Sequence, residues 1–466
     1  METSVIFNQC GRASWVGRAV GCAAVAFFLV LSGAAEAAEW SLKEAAKPYA
    51  GQKIHCAGDG YAPYVAYQKL SEEFTEITGI EVEWEVASLE ILQPKLLADV
   101  LNNTGVFDCA EVESANMGLW IAQKFTTPME RFLDDPQLRD PSFDPMTGLI
   151  PENLEMTSME DGVIHGLPYH FIPRFFVTRT DLSKDSGERA AFNAKYGYDM
   201  PVIPNTWQEY TDVAEFFTRD AGETLAGEVL TEDFYGTALQ FKRDLGIQYE
   251  WEFFLNAFGG VMFDESGDVA FDSDIGVKAL DYWLSMRKYV SPAYLEYNWD
   301  NTFSDMCEGR VYTYPTWGDT TPFLEDREGC PKVAGNLTYG PVPGTHQTGA
   351  DGQSWIIPPS SKVPEATFLF LQWISTFDIQ KRCQFIGCTS TRTDVWFDPA
   401  FDDEPRTQVT REIMKNGYLV VRAKPPALAK ISTILIDELH EAALGSQTAA
   451  EALKRAGEQS RALLEQ

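Results

Sequence analysis

Over residues 80–86, apolar Ile80, Val82, Trp84 and Val86 alternate with Glu81, Glu83 and Glu85. A period of two predicts a strand with one face buried and the other in water. The preceding stretch, 64–78, spaces Tyr67, Leu70, Phe74 and Ile77 three or four apart, which predicts an amphipathic helix stopped by Gly79. A short strand over 53–57 leads into it. Ser88 stands where it would cap another helix carrying Leu92, Leu96 and Val100, and 107–112 returns as a strand. Strand and helix alternating in this way predict an α/β layout with a parallel sheet, whose ligands gather beyond the carboxyl ends of the strands.

The stretch 162–182, GVIHGLPYHFIPRFFVTRTDL, breaks the pattern. Nearly every position from Phe171 to Val177 is apolar or aromatic, so both faces should be buried, and Pro168 and Pro173 keep the chain extended. It is predicted to connect two parts of the molecule. Downstream, Thr206 and Glu209 form a capping box, and 234–272 holds a strand, a polar loop, an aromatic helix closed by Gly259 and Gly260, and a hairpin. An amphipathic helix follows over 274–290, then a strand over 310–314. The Gly- and Pro-rich stretch 340–364, with an apolar strand at 355–357, is predicted as a return crossing; a third is expected between Cys388 and Asp398, and the remainder is helical.

Arg12 and Arg18, the apolar run 19–31 and the Ala35-Glu36-Ala37 site predict a secretory signal over 1–37, cut after Ala37. The apolar run is shorter than the roughly 20 residues a membrane span needs. A formal net charge of −32 argues against nucleic acid, whose phosphates require a basic face. Six cysteines follow the signal, and an even number in an exported chain predicts disulfides: Cys56 with Cys109, Cys307 with Cys330, Cys383 with Cys388. Five histidines and no short zinc-type cysteine spacing argue against a metal, and no cofactor is expected.

The ordered phrases EEFTEITGIEVEWE (72–85), KLLADVLNNTGVFDCAEVE (95–113), the 162–182 stretch, GTALQFKRDLGIQYEWEFFLNAFGG (236–260), CEGRVYTYPTWGD (307–319) and GQSWIIPPSSKVPEATFLFLQWIS (352–375) resemble the extracellular solute-binding proteins of bacterial ABC importers, in the maltose-binding-protein-like branch of sugar and polyol receptors. The resemblance implies an α/β, two-lobed periplasmic binding protein fold of type II with a three-crossing hinge. It divides the chain into an N-lobe of 38–172 and 341–388 and a C-lobe of 173–340 and 389–466. It also implies a monomer in the periplasm that closes on one sugar or polyol and presents it to a membrane permease.

A polyol needs rings for its C–H faces and polar groups for its hydroxyls. By the carboxyl-end rule and the resemblance, the N-lobe candidates are Asp59, Tyr61, Glu90, Glu113, Ser114 and Asn116, with Glu90 and Ser114 equally readable as helix caps. On the crossing strand lie Tyr169, His170 and Arg174; His170 also suits an interior histidine, and Arg174, in so apolar a setting, must have a carboxylate or a ligand as partner. From the C-lobe come Lys242, Tyr249, Trp251, Trp317, Gly318 and Asp319, with Trp317 the expected stacking floor; Trp355 and Arg392 complete the set. A phosphorylated polyol, an amine or a metal complex is the alternative solute. An exported carbohydrate-active enzyme is the alternative class, although no Gly-x-Ser-x-Gly, His-Glu-x-x-His or phosphate-loop motif is present.

Overall fold

A computed structural model describes residues 40–59 and 62–465, so the 1–37 signal and Tyr61 lie outside the described residues. Two sheets organise the chain. The first runs in the order Glu81–Val86, Lys53–Gly58, Cys109–Glu113, Gln353–Ile356, Leu167–Pro168. Its first three strands are parallel, and the last two run against their neighbours. The alternating 80–86 stretch is an edge strand, where one face in water is natural.

The second sheet runs Tyr235–Thr237, Val311–Trp317, Ile172–Arg179, Thr348–Asp351, Leu419–Val420, with Leu337–Gly340 also paired to Ile172–Arg179. All eight residues of Ile172–Arg179 are buried, Arg174 and Arg179 included, as the largely apolar run over 171–177 predicts for its core. Each sheet has its own core. Tyr64, Phe74, Trp355, Phe368 and Phe370 pack on the first, and Phe176, Tyr210, Trp251, Phe254 and Trp283 on the second.

The chain changes sheets three times. It leaves the first after Leu167–Pro168 and enters the second at Ile172; it returns across Gly352, between Thr348–Asp351 and Gln353–Ile356. The last passage follows helix Phe377–Ile386, which packs on helix Ala62–Thr78, and precedes Pro405–Asn416, which packs on Leu337–Gly340. The capping box forms as expected, with Thr206 Oγ1 accepting from the Glu209 amide.

Two of the expected disulfides are present, Cys307–Cys330 and Cys383–Cys388. Cys56 and Cys109 are a correction. They face each other across paired parallel strands but remain separate, fully buried thiols. Burial raises both thiol pKa values, which keeps them protonated and unreactive. Among the described residues no helix is long and apolar enough to cross a membrane.

Candidate functional site

The strand Cys109–Glu113 points Cys109, Glu111 and Glu113 to one face by its period of two. Glu111 is buried, and its Oε2 accepts the Asp59 amide at 2.7 Å. Burial pushes its carboxyl up to about 8, against the opposing effect of bonds from Asp59 and the Tyr169 hydroxyl. Glu113 stands opposite Gln353, whose Oε1 meets His170 Nδ1 at 3.0 Å. Burial lowers the His170 pKa to about 3, so this imidazole is neutral. Ser114 opens helix Ser114–Ala122, but its hydroxyl caps nothing; it donates to Asp351 Oδ1 at 2.8 Å.

On the second sheet, antiparallel register sets Trp317 directly opposite Arg174. The guanidinium therefore lies over the indole, 4.4 Å from its centroid, and 4.6 Å from that of the Phe253 ring. Its Nη2 donates to Glu250, fully buried like itself, and its Nη1 donates to the Tyr249 carbonyl at 2.9 Å. Gln240 also donates to Glu250 Oε2, at 3.0 Å. Tyr249 meets Trp317 edge-on at 6.0 Å, and the Arg422 guanidinium covers the tyrosine ring at 4.5 Å. Arg422 Nε donates to Glu252 at 2.9 Å.

Asp319 follows Trp317. Its Oδ1 is enclosed with no hydrogen-bond partner among the described residues, and burial raises its carboxyl to about 6 against the pull of Arg406. Arg406 is fully buried, held by Glu404 at 2.6 Å and donating to the Cys388 carbonyl at 2.7 Å. Gly318 packs so closely on the Pro173 carbonyl that an added Cβ would lie 3.2 Å away.

The ends of both sheets thus converge. The Tyr249 hydroxyl feels Asp351, Glu113, Glu252 and Arg422 together, a set drawn from both halves. Arg174, Tyr249, Glu252, Phe253, Trp317 and Arg422, all of the second half, border a small space of about 10 Å³. A larger hollow of 340 Å³, between Trp207, Phe258 and Tyr282, lies on helices of the second half, away from these strand ends.

Several expected residues are elsewhere. Trp251 is fully buried and meets Phe271 edge-on. Tyr249, Glu252, Phe253 and Asn256 share the cleft face of helix Leu245–Ala257 at spacings of three and four, and Trp251, two positions from Tyr249, points into the core. Trp355 is a core residue stacked 4.6 Å from Tyr169. Lys242 is exposed beside Asp244 at 3.9 Å, and Arg392 is tied to Asp394 and to the Ser375 carbonyl. Asn116 is half-buried on its helix, and the Glu90 side chain lies outside the described residues.

Glu111, Glu250, Glu252, Arg406 and Arg422 were not expected. Acids inside a strand and inside the aromatic run QYEWEFF were a usable signal for the first three. Nothing local marked Arg422, whose partner Glu252 comes from a distant segment, and the nearby Glu404 gave no sign that Arg406 would be buried.

A family profile described as bacterial extracellular solute-binding protein matches residues 69–408. A probable amino-acid ABC transporter periplasmic-binding protein of Sinorhizobium fredii is 24% identical over 370 residues, 76% of this chain and 75% of that protein. The mannitol-binding protein of Pseudomonas aeruginosa is 25% identical over 322 residues, 67% of this chain and 66% of that protein. Among solved structures, an ABC transporter solute-binding protein of Agrobacterium radiobacter K84 in complex with ribitol superposes with a TM-score of 0.73 at 20% identity, over 90% of this chain and 100% of that one. The architecture is the two-lobed, maltose-binding-protein-like fold with a three-crossing hinge, and the chain belongs to the bacterial extracellular solute-binding protein family.

Proposed function

We propose that this protein is the periplasmic receptor of an ABC importer and closes on a small uncharged polyol or sugar, which it carries to the membrane permease without transforming it. The observation that carries this reading is the arrangement around Trp317. An indole braced from behind by Arg174 offers a stacking face, and Glu111, Glu113, Tyr249, Asp319 and Asp351 supply hydroxyl partners from both halves. Glu111, protonated below about 8, can donate to a ligand oxygen as well as accept.

Charge favours a neutral solute. The buried guanidiniums of Arg174, Arg406 and Arg422 are each engaged by a carboxylate, Glu250, Glu404 and Glu252. An anionic solute would join an excess of carboxylates. The names of relatives that bind mannitol and ribitol point the same way. The lobes of this reading are 38–172 with 341–388 and 173–340 with 389–466, except that the pairing of Thr348–Asp351 in the second sheet favours a return boundary at Gly352 rather than at 340. The 1–37 signal, removed after Ala37, supplies the address, and the receptor acts as a monomer.

A thermal-shift and calorimetric panel of D-mannitol, ribitol, maltose and L-amino acids tests this. A polyol or sugar at 100 times Kd should add about 2.7 kcal/mol of stability. Binding confined to amino acids would overturn the solute class, and turnover of a glycoside would overturn the receptor reading.

A further inference from the structure

Arg406 stands in helix Pro405–Asn416, just past the last passage between the halves, and is fully buried. A guanidinium in that setting needs each of its arms matched. Its Nε donates to Glu404 at 2.6 Å, its Nη2 to the Cys388 carbonyl at 2.7 Å and its Nη1 to the Gly318 carbonyl at 3.4 Å. The other Glu404 oxygen accepts from Gln384 at 3.0 Å and from Thr407 at 2.7 Å, which holds the carboxylate in place. One side chain thereby ties the end of helix Phe377–Ile386, the start of Pro405–Asn416 and the turn that follows strand Val311–Trp317.

The same turn is braced from its other side. An added Cβ on Gly318 would lie 3.2 Å from the Pro173 carbonyl and 3.3 Å from the Phe175 ring, both on the crossing strand. Gly318 carries the carbonyl that Arg406 holds, and its neighbours Trp317 and Asp319 are the stacking ring and an acid of the cleft. Arg406 itself lies behind the turn and does not border the space among Arg174, Tyr249 and Trp317. Burial is the main influence pushing the Asp319 carboxyl toward its neutral form; Arg406 opposes it, helped by the amides of Asp319 and Thr320, while Asp351 adds to it from strand Thr348–Asp351. Tyr314, on the strand of Trp317, feels Asp319 and Arg174 at once, and His170 feels Arg406. Asp319 Oδ1 is enclosed with no partner among the described residues, which suits it to a solute hydroxyl.

We propose that Arg406 is a positioning residue of the solute site: through the Gly318 carbonyl it fixes the Trp317-Gly318-Asp319 turn, and its charge keeps Asp319 ionised as an acceptor for a solute hydroxyl. This rests on the reading of the cleft as a polyol or sugar site and adds a group that acts there without touching the solute. Glu404 neutralises the pair, yet Arg406 is the member that acts on Asp319. A carboxylate accepts on both oxygens, whereas the protonated acid donates from one of them. Asp319 gains its proton as pH falls through about 6, and polyol binding weakens with it. Removing the guanidinium raises that midpoint by about one pH unit, the low end of what a neighbouring cation does to a carboxyl.

The test is calorimetric titration of the full-length protein with D-mannitol from about pH 7 down to about pH 5. The proteins are wild type, Asp319→Asn, Arg406→Lys, and Arg406→Gln combined with Glu404→Gln, which removes the ion pair without stranding either charge. Wild-type Kd should rise about tenfold over this range, and Asp319→Asn should show no such rise. The double variant should bind more weakly throughout and lose affinity about one pH unit higher than wild type. Arg406→Lys, which keeps the charge but loses the fork that reaches Gly318, should keep the wild-type midpoint with Kd raised about fivefold, the worth of one hydrogen bond. An acid-dependent loss that persists in Asp319→Asn overturns the proposal. So does a double variant of lowered affinity with the wild-type midpoint, which makes Arg406 a structural brace only. If the double variant does not fold, Arg406→Lys decides, and an unchanged Kd or a shifted midpoint overturns the proposal. Should D-mannitol and the wider panel fail to bind wild type, the solute reading fails. Carboxyl-carbon NMR of Asp319, assigned by its loss in Asp319→Asn, then still decides whether Arg406 sets the Asp319 charge: equal midpoints with and without the guanidinium overturn it.

Discussion

Trp317 owes its place to strand register, which sets it across from Arg174 at the end of Val311–Trp317; Trp355, one layer into the first sheet, is enclosed by Tyr64, Trp84 and Tyr169. The same residue type should therefore fail in two ways. Trp355→Ala leaves a core cavity and should cost about 3–5 kcal/mol in urea unfolding. Trp317→Ala should abolish polyol binding with a smaller loss of stability, seen by calorimetry beside the unfolding curve. Arg174 and Glu250 form an ion pair with neither partner exposed beyond 1%. Arg174→Met strands the carboxylate and should cost about 3–5 kcal/mol, most of it recovered by adding Glu250→Leu. Glu111 gives a pH signature. Its folded pKa, about 8, lies above the ordinary 4.5, so the folded state keeps a proton that the unfolded state releases. Its contribution to stability is complete below 4.5 and is lost as pH rises through 8. Glu111→Gln should match wild type near pH 5 and exceed it near pH 8, with the gap opening by at most about 1.4 kcal/mol per pH unit.

At the scale of elements, the disulfide Cys307–Cys330 ties helix Trp299–Cys307 to the loop before Leu337–Gly340 and spans 23 residues, whereas Cys383–Cys388 spans 5. By loop entropy, replacing the first pair with serine should cost about 3 kcal/mol and the second about 2 kcal/mol, read from unfolding midpoints. What was legible in the sequence was local. The alternation at 80–86, the spacing of Tyr67, Leu70 and Phe74, and the apolar run at 171–177 each encode burial through periods of two or 3.6, and each became the expected element. The cleft was legible only at its rim. Trp317 and Tyr249 stand where a strand ends and a helix begins, but which way a helical residue points depends on a few degrees of rotation, and Trp251 turned inward. The charged interior was hidden because Arg174 meets Glu250 across 76 residues and Arg422 meets Glu252 across 170, separations that no short-range pattern records. The third cysteine pair failed for a related reason: an even number of cysteines predicts bonding but does not record which sulfurs bond, and Cys56 and Cys109, though opposite each other on paired strands, remain separate thiols.

The whole molecule carries 69 acidic against 37 basic residues, a formal charge of −32 that must be spread over the surface of one chain. Mutual repulsion of this size opposes the compact state. The ion pairs at the cleft, Arg174 with Glu250 and Arg422 with Glu252, are enclosed and little reached by mobile ions. Salt should therefore act on the exterior and leave the cleft alone. Raising NaCl from about 10 mM to about 150 mM shortens the screening length from about 30 Å to about 8 Å, and the thermal midpoint should rise by a few degrees. Over the same range the affinity for D-mannitol should stay within about twofold, because an uncharged solute brings no counter-ions to release or screen. Calorimetric titration at both concentrations, beside thermal scans, separates the two effects. A midpoint that falls with salt would mean that surface ion pairs, not surplus acid, dominate the exterior. An affinity that falls steeply with salt would mean that the cleft recognises a cation, and the excess of carboxylates around Tyr249 would then be its counter-charge.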